Sequence, residues 1–287
     1  MDERRAVDRR LIVFRNLLKL WACLGVVAFG LGLAGWALGG YRVALLFLGS
    51  AVLLGGAVYW YAERIGMGMV GARELLPAEA PALHSTVERL ASRASVVKPK
   101  LYVLPDGYPR ALSAGRGASG GSALALSVGL MGVASPAELE GVIAHELAHL
   151  RNRDVFVQTL VVVVASAIVE ASRIGGFLQR SLLFVLGPIA AAFVHLLLSP
   201  KREFDADRLA AELCDSPHGL ADALVRLETA MELVGFEGNP ATEPLHITNP
   251  FAEEGLAGLF VTHPPVADRV ARLRALDPDW KERLRAA

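Results

Sequence analysis

The sequence predicts a mostly helical α+β fold carried by membrane helices, a multi-pass arrangement. Three observations lead there: two long uncharged runs near the N-terminus, short strand-like stretches between residues 100 and 128, and a strongly signalled helix opening at Ser135. Apolar residues make up 53% of the 287, above the usual soluble range.

The runs Leu20–Gly40 and Val43–Ala62 lack charge, and each matches the roughly 20 residues of a spanning helix. Tyr41-Arg42 is the only break, so the pair reads as a tight helical hairpin over residues 20–62. Tyr59-Trp60-Tyr61 closes it with aromatics suited to a membrane interface. A cleaved signal peptide is the competing reading; the first run is too long for one, and a second run follows at once. Arg4, Arg5, Arg9, Arg10, Arg15 and Lys19 lie in the tail 1–19, whereas the hairpin loop offers only Arg42. The excess of positive charge places the N-terminus, and with it the chain after the hairpin, in the cytoplasm. Cys23 and Cys214 stand alone, with no CxxC clamp or disulfide framework, which suits a reducing compartment. A second apolar pair, Val155–Val169 and Leu182–Leu198, predicts a spanning or membrane-embedded hairpin over residues 155–198.

The soluble part divides into residues 63–154 and 199–287. Ala78–Arg93 has helical periodicity. Lys100–Leu104, Ala111–Ala114 and Ala123–Val128 are strand candidates, the last two joined by a glycine-rich loop, Gly115–Gly121. Ser135-Pro136-Ala137-Glu138 then supplies a cap, a first-turn proline and the glutamate of a capping box. With 29 basic and 29 acidic residues and no nucleic-acid signature, the chain has no field to draw DNA or RNA.

The Ser135 helix carries His145-Glu146-Leu147-Ala148-His149. Side chains four apart share a helix face, so both imidazoles can reach one ion. Glu146, beside them, is placed for a general base. Two histidines with a third ligand and an open position form the catalytic zinc arrangement, in which water becomes a nucleophile near neutral pH. The third ligand can come from Lys201-Arg202-Glu203-Phe204-Asp205-Ala206-Asp207, where Glu203 and Asp207 share a face. Glu203 can complete the site and Asp207 can accept a ligand histidine's second N–H. Read alone, the same run is equally a solvated charged face. Asp154 is either a partner of the site or a helix-end residue at the membrane boundary. His84, His195, His218 and His246 have no partner at ligand spacing and read as structural or surface residues.

Taken together, HELAHLRNRD, the apolar hairpin, REFDAD and THPPVADRVARL resemble the HtpX-type membrane metallopeptidases, relatives of the CAAX prenyl proteases. The resemblance covers nearly the whole chain, including the N-terminal spans. It implies a zincin-like metalloprotease domain, one zinc ion held by His145, His149 and Glu203, Asp207 behind them, and Glu146 as catalytic base. It also implies that His263 and Arg269 approach the site to steady the substrate carbonyl or oxyanion. Relatives bind substrate as an added strand on an exposed sheet edge, and Ala123–Val128 is the candidate edge. Arg110-Ala111-Leu112 departs from the family's Asn-Ala-Phe-like stretch, which weakens substrate-contact inferences there and leaves the zinc site untouched. The expected activity is cleavage of misfolded or damaged membrane proteins at the cytoplasmic face of the cell membrane, with polypeptide substrates and the bilayer as partners. A prenyl-protein protease, a non-catalytic zinc scaffold or sensor, and a site-2-type intramembrane protease are the alternatives. Charged residues within a turn or two of the motif argue against the last, and the retained Glu146 argues against the scaffold.

Overall fold

Gly39 and Gly40 break the long helical stretch α1 (Asp2–Met69) that opens the computed structural model, which describes residues 2–173, 200–233, 263–277 and 279. Gly40 has φ 71° and ψ −162°, backbone that a Cβ all but forbids, and the chain reverses there. A Cβ built on Gly35 would lie 2.7 Å from Ala44 Cα, and Gly32 faces Leu48 across the same seam. The two halves therefore run antiparallel with their backbones almost touching. The expected hairpin forms, its turn just ahead of Tyr41-Arg42. Its outer surface is greasy: Trp21, Trp36 and Leu53 are 69%, 65% and 77% exposed. The stretch Ala28–Met69 is long and apolar enough to cross a membrane.

The second half does not stop at Ala62. Ala62 and Met67 are buried, and Gly66 lies against Ala114 so closely that no Cβ would fit. The last turns of α1 thus belong to the soluble body.

That body is a four-stranded sheet between helical layers. Its strands are β1 (Arg73–Glu74), β2 (Lys100–Leu104), β3 (Ala111–Gly115) and β4 (Ser122–Ser127), in the order β1-β2-β4-β3. β3 and β4 form the expected antiparallel hairpin, Ala111 opposite Leu126 and Gly115 opposite Ser122. β2 and β4 pair in parallel, Lys100 with Ala123 and Leu104 with Ser127.

This order corrects the expectation for Ala123–Val128. β4 is interior, its backbone groups already paired on both sides, and the edge strands are β1 and β3. The physical reason is visible in Ser-Ala-Leu-Ala-Leu-Ser: both faces are apolar and all six residues are buried, as in a strand covered above and below. Leu124 and Leu126 join Leu101, Leu90 and Leu147 in one core, under α2 (Pro81–Ala94) and α4 (Pro136–Arg151). Ala123 and Ala125 join Leu112, Met67 and Val162 in the other, under α1 and α5 (Asp154–Arg173). α3 (Val128–Val133) follows β4 directly, capped by Ser127 Oγ, which accepts from Leu130 N.

α5 begins the second apolar pair, and its first turns are not free to face lipid. Val155 and Thr159 are buried, and Thr159 Oγ1 accepts from Gly115 N at 3.2 Å. Leu182–Leu198 lies outside the described residues. Beyond it come α6 (Lys201–Cys214), α7 (His218–Leu233) and α8 (Val266–Arg274). α7 crosses α4 at glycines: a Cβ on Gly141 would meet Leu220 N at 2.5 Å, and Gly219 sits on the Ala137 carbonyl.

Candidate metal centre

α4 starts where the sequence says it should. Ser135 Oγ accepts from Glu138 N at 3.3 Å, and Glu138 Oε2 accepts from Ser135 N at 2.7 Å, with Pro136 in the first turn. Arg226 of α7 adds a bond of 2.9 Å to Glu138. Helix α4 is thereby pinned at one end, sandwiched between sheet and α6–α7, and His145, Glu146 and His149 are all buried.

The imidazoles meet on the α6 side of the helix. Nε2 of His145 and Nε2 of His149 are 3.1 Å apart. Glu203, in the first turn of α6, brings Oε2 to 3.5 Å from His145 Nε2 and Oε1 to 3.5 Å from His149 Nε2. One ligand atom from each of these three buried residues lies within 4.8 Å of the others, a cluster able to hold a metal ion.

Each histidine is backed by a carboxylate, and each carboxylate by an arginine. His145 Nδ1 is 2.9 Å from Asp207 Oδ1, and Arg269 of α8 grips Asp207 with two bonds, Nε to Oδ2 at 2.8 Å and Nη2 to Oδ1 at 2.6 Å. His149 Nδ1 faces Asp154 Oδ2 at 3.5 Å, and Arg202 Nε lies 3.2 Å from Asp154 Oδ1. Of the two readings left open for Asp154, the structure places it behind His149.

These partners set the charges. Burial opposes charge on His145, yet its bonds with Asp207 and Glu203 prevail and push the imidazole up to about 9 in the absence of metal. Burial likewise opposes ionisation of Glu203, but His263 and His149 hold its carboxyl well below the usual range. Asp207, against the same burial, is held low by Arg269.

His263 arrives just before α8, with Nδ1 3.1 Å from Glu203 Oε2. Arg269 is fully buried, and its Nη1 lies 3.7 Å from Glu203 Oε2 besides the two hydrogen bonds it donates to Asp207. Its guanidinium faces carboxylates of the protein. Two residues the sequence reading did not place also enter: Arg202, above, and Ser113, whose Oγ donates to Glu146 Oε2 at 2.7 Å. Arg202 carried a hint in its position next to Glu203; Ser113 had none beyond its place on a strand. His84 packs inward with Nε2 3.0 Å from the Leu75 carbonyl, and His218 Nε2 is 3.0 Å from Asp277 Oδ2. His195 and His246 lie outside the described residues.

A histidine pair one helical turn apart, a neighbouring glutamate and a carboxylate ligand from a following helix define a class: the metallopeptidases. Residues 77–277 match peptidase family M48. The chain is 37% identical to a protease HtpX homolog of Pelotomaculum thermopropionicum over 279 residues, covering 91% of this chain and 99% of that one. It is 40% identical to the Salinibacter ruber homolog over 271 residues, 91% and 98% of the two. Among solved structures, S. mikatae Ste24p aligns at 17% identity over 93% of this chain and 66% of its own, with a TM-score of 0.44. The chain belongs to peptidase family M48, and within it to the HtpX-type proteases. It is a metalloendopeptidase.

Proposed function

We propose that the ion is zinc and that the enzyme cuts misfolded or damaged membrane proteins at the cytoplasmic face. The observation that carries the reading is the buried donor cluster of His145, His149 and Glu203. Ligands about 2.0–2.2 Å from a tetrahedral zinc stand roughly 3.3–3.5 Å apart. The two imidazole nitrogens are 3.1 Å apart and each has one of the two Glu203 oxygens at 3.5 Å, distances of that order, and the set of two imidazoles and one carboxylate is a catalytic one. Zinc held there supplies Lewis acidity, polarising the scissile carbonyl and making water nucleophilic near neutral pH.

The protein's own residues do the rest. Asp207 accepts the Nδ1 proton of His145, which leaves Nε2 free to ligate; Arg269 keeps Asp207 charged and in place. Glu146, one residue from the first ligand, takes a proton from the attacking water and returns it to the leaving amine. Both late residues are enclosed, His263 beside Glu203 and Arg269 against Asp207, so each acts on the site through the carboxylate it faces. An extended peptide would add to β3, the strand next to Glu146. Membrane substrates are favoured by the apolar hairpin that leads directly into this sheet, and the cytoplasmic side by the basic N-terminal tail.

Detergent-solubilised protein provides the test. Chelator should abolish cleavage of an unfolded substrate and zinc should restore it. Glu146→Gln should keep stoichiometric zinc and lose at least two orders of magnitude in activity, while Glu203→Ala should lose both. A fully active Glu146→Gln, or cleavage indifferent to chelator, would sink the mechanism.

A further inference from the structure

The contact between Ser113 and Glu146 joins the edge strand to the base. Strand side chains alternate between faces, and on β3 the pair Leu112 and Ala114 packs toward α1 and α5. Ala111 and Ser113 point the other way, toward α4. Ser113 is 3% exposed, and its hydroxyl meets Glu146 Oε2 at 2.7 Å. An ionised carboxylate only accepts, so the serine is the donor, and O–H bonds to carboxylates of this length are the strong, charge-assisted kind. Across the sheet Ser113 is in register with Leu124 of β4, so the hydroxyl's position is fixed by the strand ladder and not by a loop.

From this geometry we infer that Ser113 is a positioning residue for the general base. Glutamate has three rotatable side-chain bonds, and a base that wanders by an ångström loses much of its advantage. With Oε2 held by Ser113, the carboxylate keeps one orientation and its other oxygen is left to receive the proton. The same strand is the one to which a peptide would add, so substrate backbone and base are indexed to a single stretch of chain. The inference rests on the reading of Glu146 as base.

The test compares Ser113→Ala, Ser113→Thr and Glu146→Gln in full-length, zinc-loaded protein, measuring kcat, KM, zinc content and thermal denaturation. Ser113→Ala should lower kcat about tenfold, with KM and zinc stoichiometry unchanged and the protein still folded at the assay temperature, the Tm falling only by what one lost buried bond costs. Ser113→Thr, which keeps the donor, should recover most of the loss. Wild-type kcat in Ser113→Ala overturns the inference. So does a raised KM at constant kcat, which would make Ser113 a substrate contact, or a loss that tracks zinc content or the folded fraction, which would make it structural. A folded, zinc-loaded Ser113→Thr as slow as the alanine variant overturns it too. Glu146→Gln separates the two levels: if it stays active the base assignment itself fails, whereas if it is dead and Ser113→Ala is normal, only the positioning role fails.

Discussion

Arg269 brings a permanent charge to a place with no solvent at all, and Asp207 and Glu203 are there to meet it. Removing one partner of such a buried pair leaves the other uncompensated, at about 3–5 kcal/mol. Arg269→Ala should therefore unfold earlier by that amount in chemical denaturation and lose zinc with it. Arg269→Lys should not rescue, since an ammonium cannot reproduce the two-pronged grip. Asp154 has a gentler task. Asp154→Asn should weaken zinc binding by about 10- to 100-fold in a chelator competition, the usual effect of losing the carboxylate behind a ligand histidine; unchanged affinity would remove Asp154 from the site. Histidine spacing and the Glu203–Asp207 pair were legible in the sequence because helical periodicity is local. The Arg202–Asp154 and Ser113–Glu146 contacts were not, because each depends on where distant elements come to rest.

Among the elements, α4 bears the most constraint. Its start could be read letter by letter from Ser135-Pro136-Ala137-Glu138, since capping is chemistry among near neighbours. Burial works against the charge of Glu138, but the Ser135 amide and Arg226 prevail and hold its carboxyl below the usual value. A depressed folded pKa means the contribution is present above the unfolded pKa, about 4.3, and fades as pH falls through the folded one. Ser135→Ala should cost about 1 kcal/mol. Glu138→Gln should abolish this loss of stability on acidification, read by comparing denaturant midpoints at pH 7 with those at pH values below about 4.3. At the other face, Gly141→Val should be far worse than either, because its Cβ would strike the α7 backbone, which cannot swing away as a side chain would. Strand order is where local reading failed. β2 and β4 are brought together in parallel over an intervening strand, and nothing in Ala123–Val128 announces which neighbours it will have, although its two apolar faces argued for an interior position.

For the molecule as a whole, the hairpin is the feature that sets topology. Gly40→Val should disrupt the reversal, given its φ of 71°, and lower the yield of membrane-inserted protein. On the proposed orientation, a cysteine placed at Arg42 in a background lacking Cys23 and Cys214 should react with an impermeant maleimide from outside the cell. One placed at Asp222 should react only after lysis. Labelling of Asp222→Cys in intact cells would invert the topology. The hairpin itself was readable from hydropathy; the continuation of its second helix to Met69 was not, because those last turns face protein and not lipid.

On the proposed membrane placement, that continuation makes the enzyme a ruler. Tyr61 closes the aromatic cluster, and Gly66, pressed on Ala114 of the edge strand, comes about 8 Å further along the same helix at 1.5 Å per residue. No flexible joint lies between them. A substrate leaving the bilayer in extended form covers that height in about two or three residues. On that placement the reach of the active centre is short and fixed: chains tethered in the same membrane should be cut close to where they emerge, and inserting one helical turn after Tyr61 should shift the cut site outward, by an amount readable in the masses of the products.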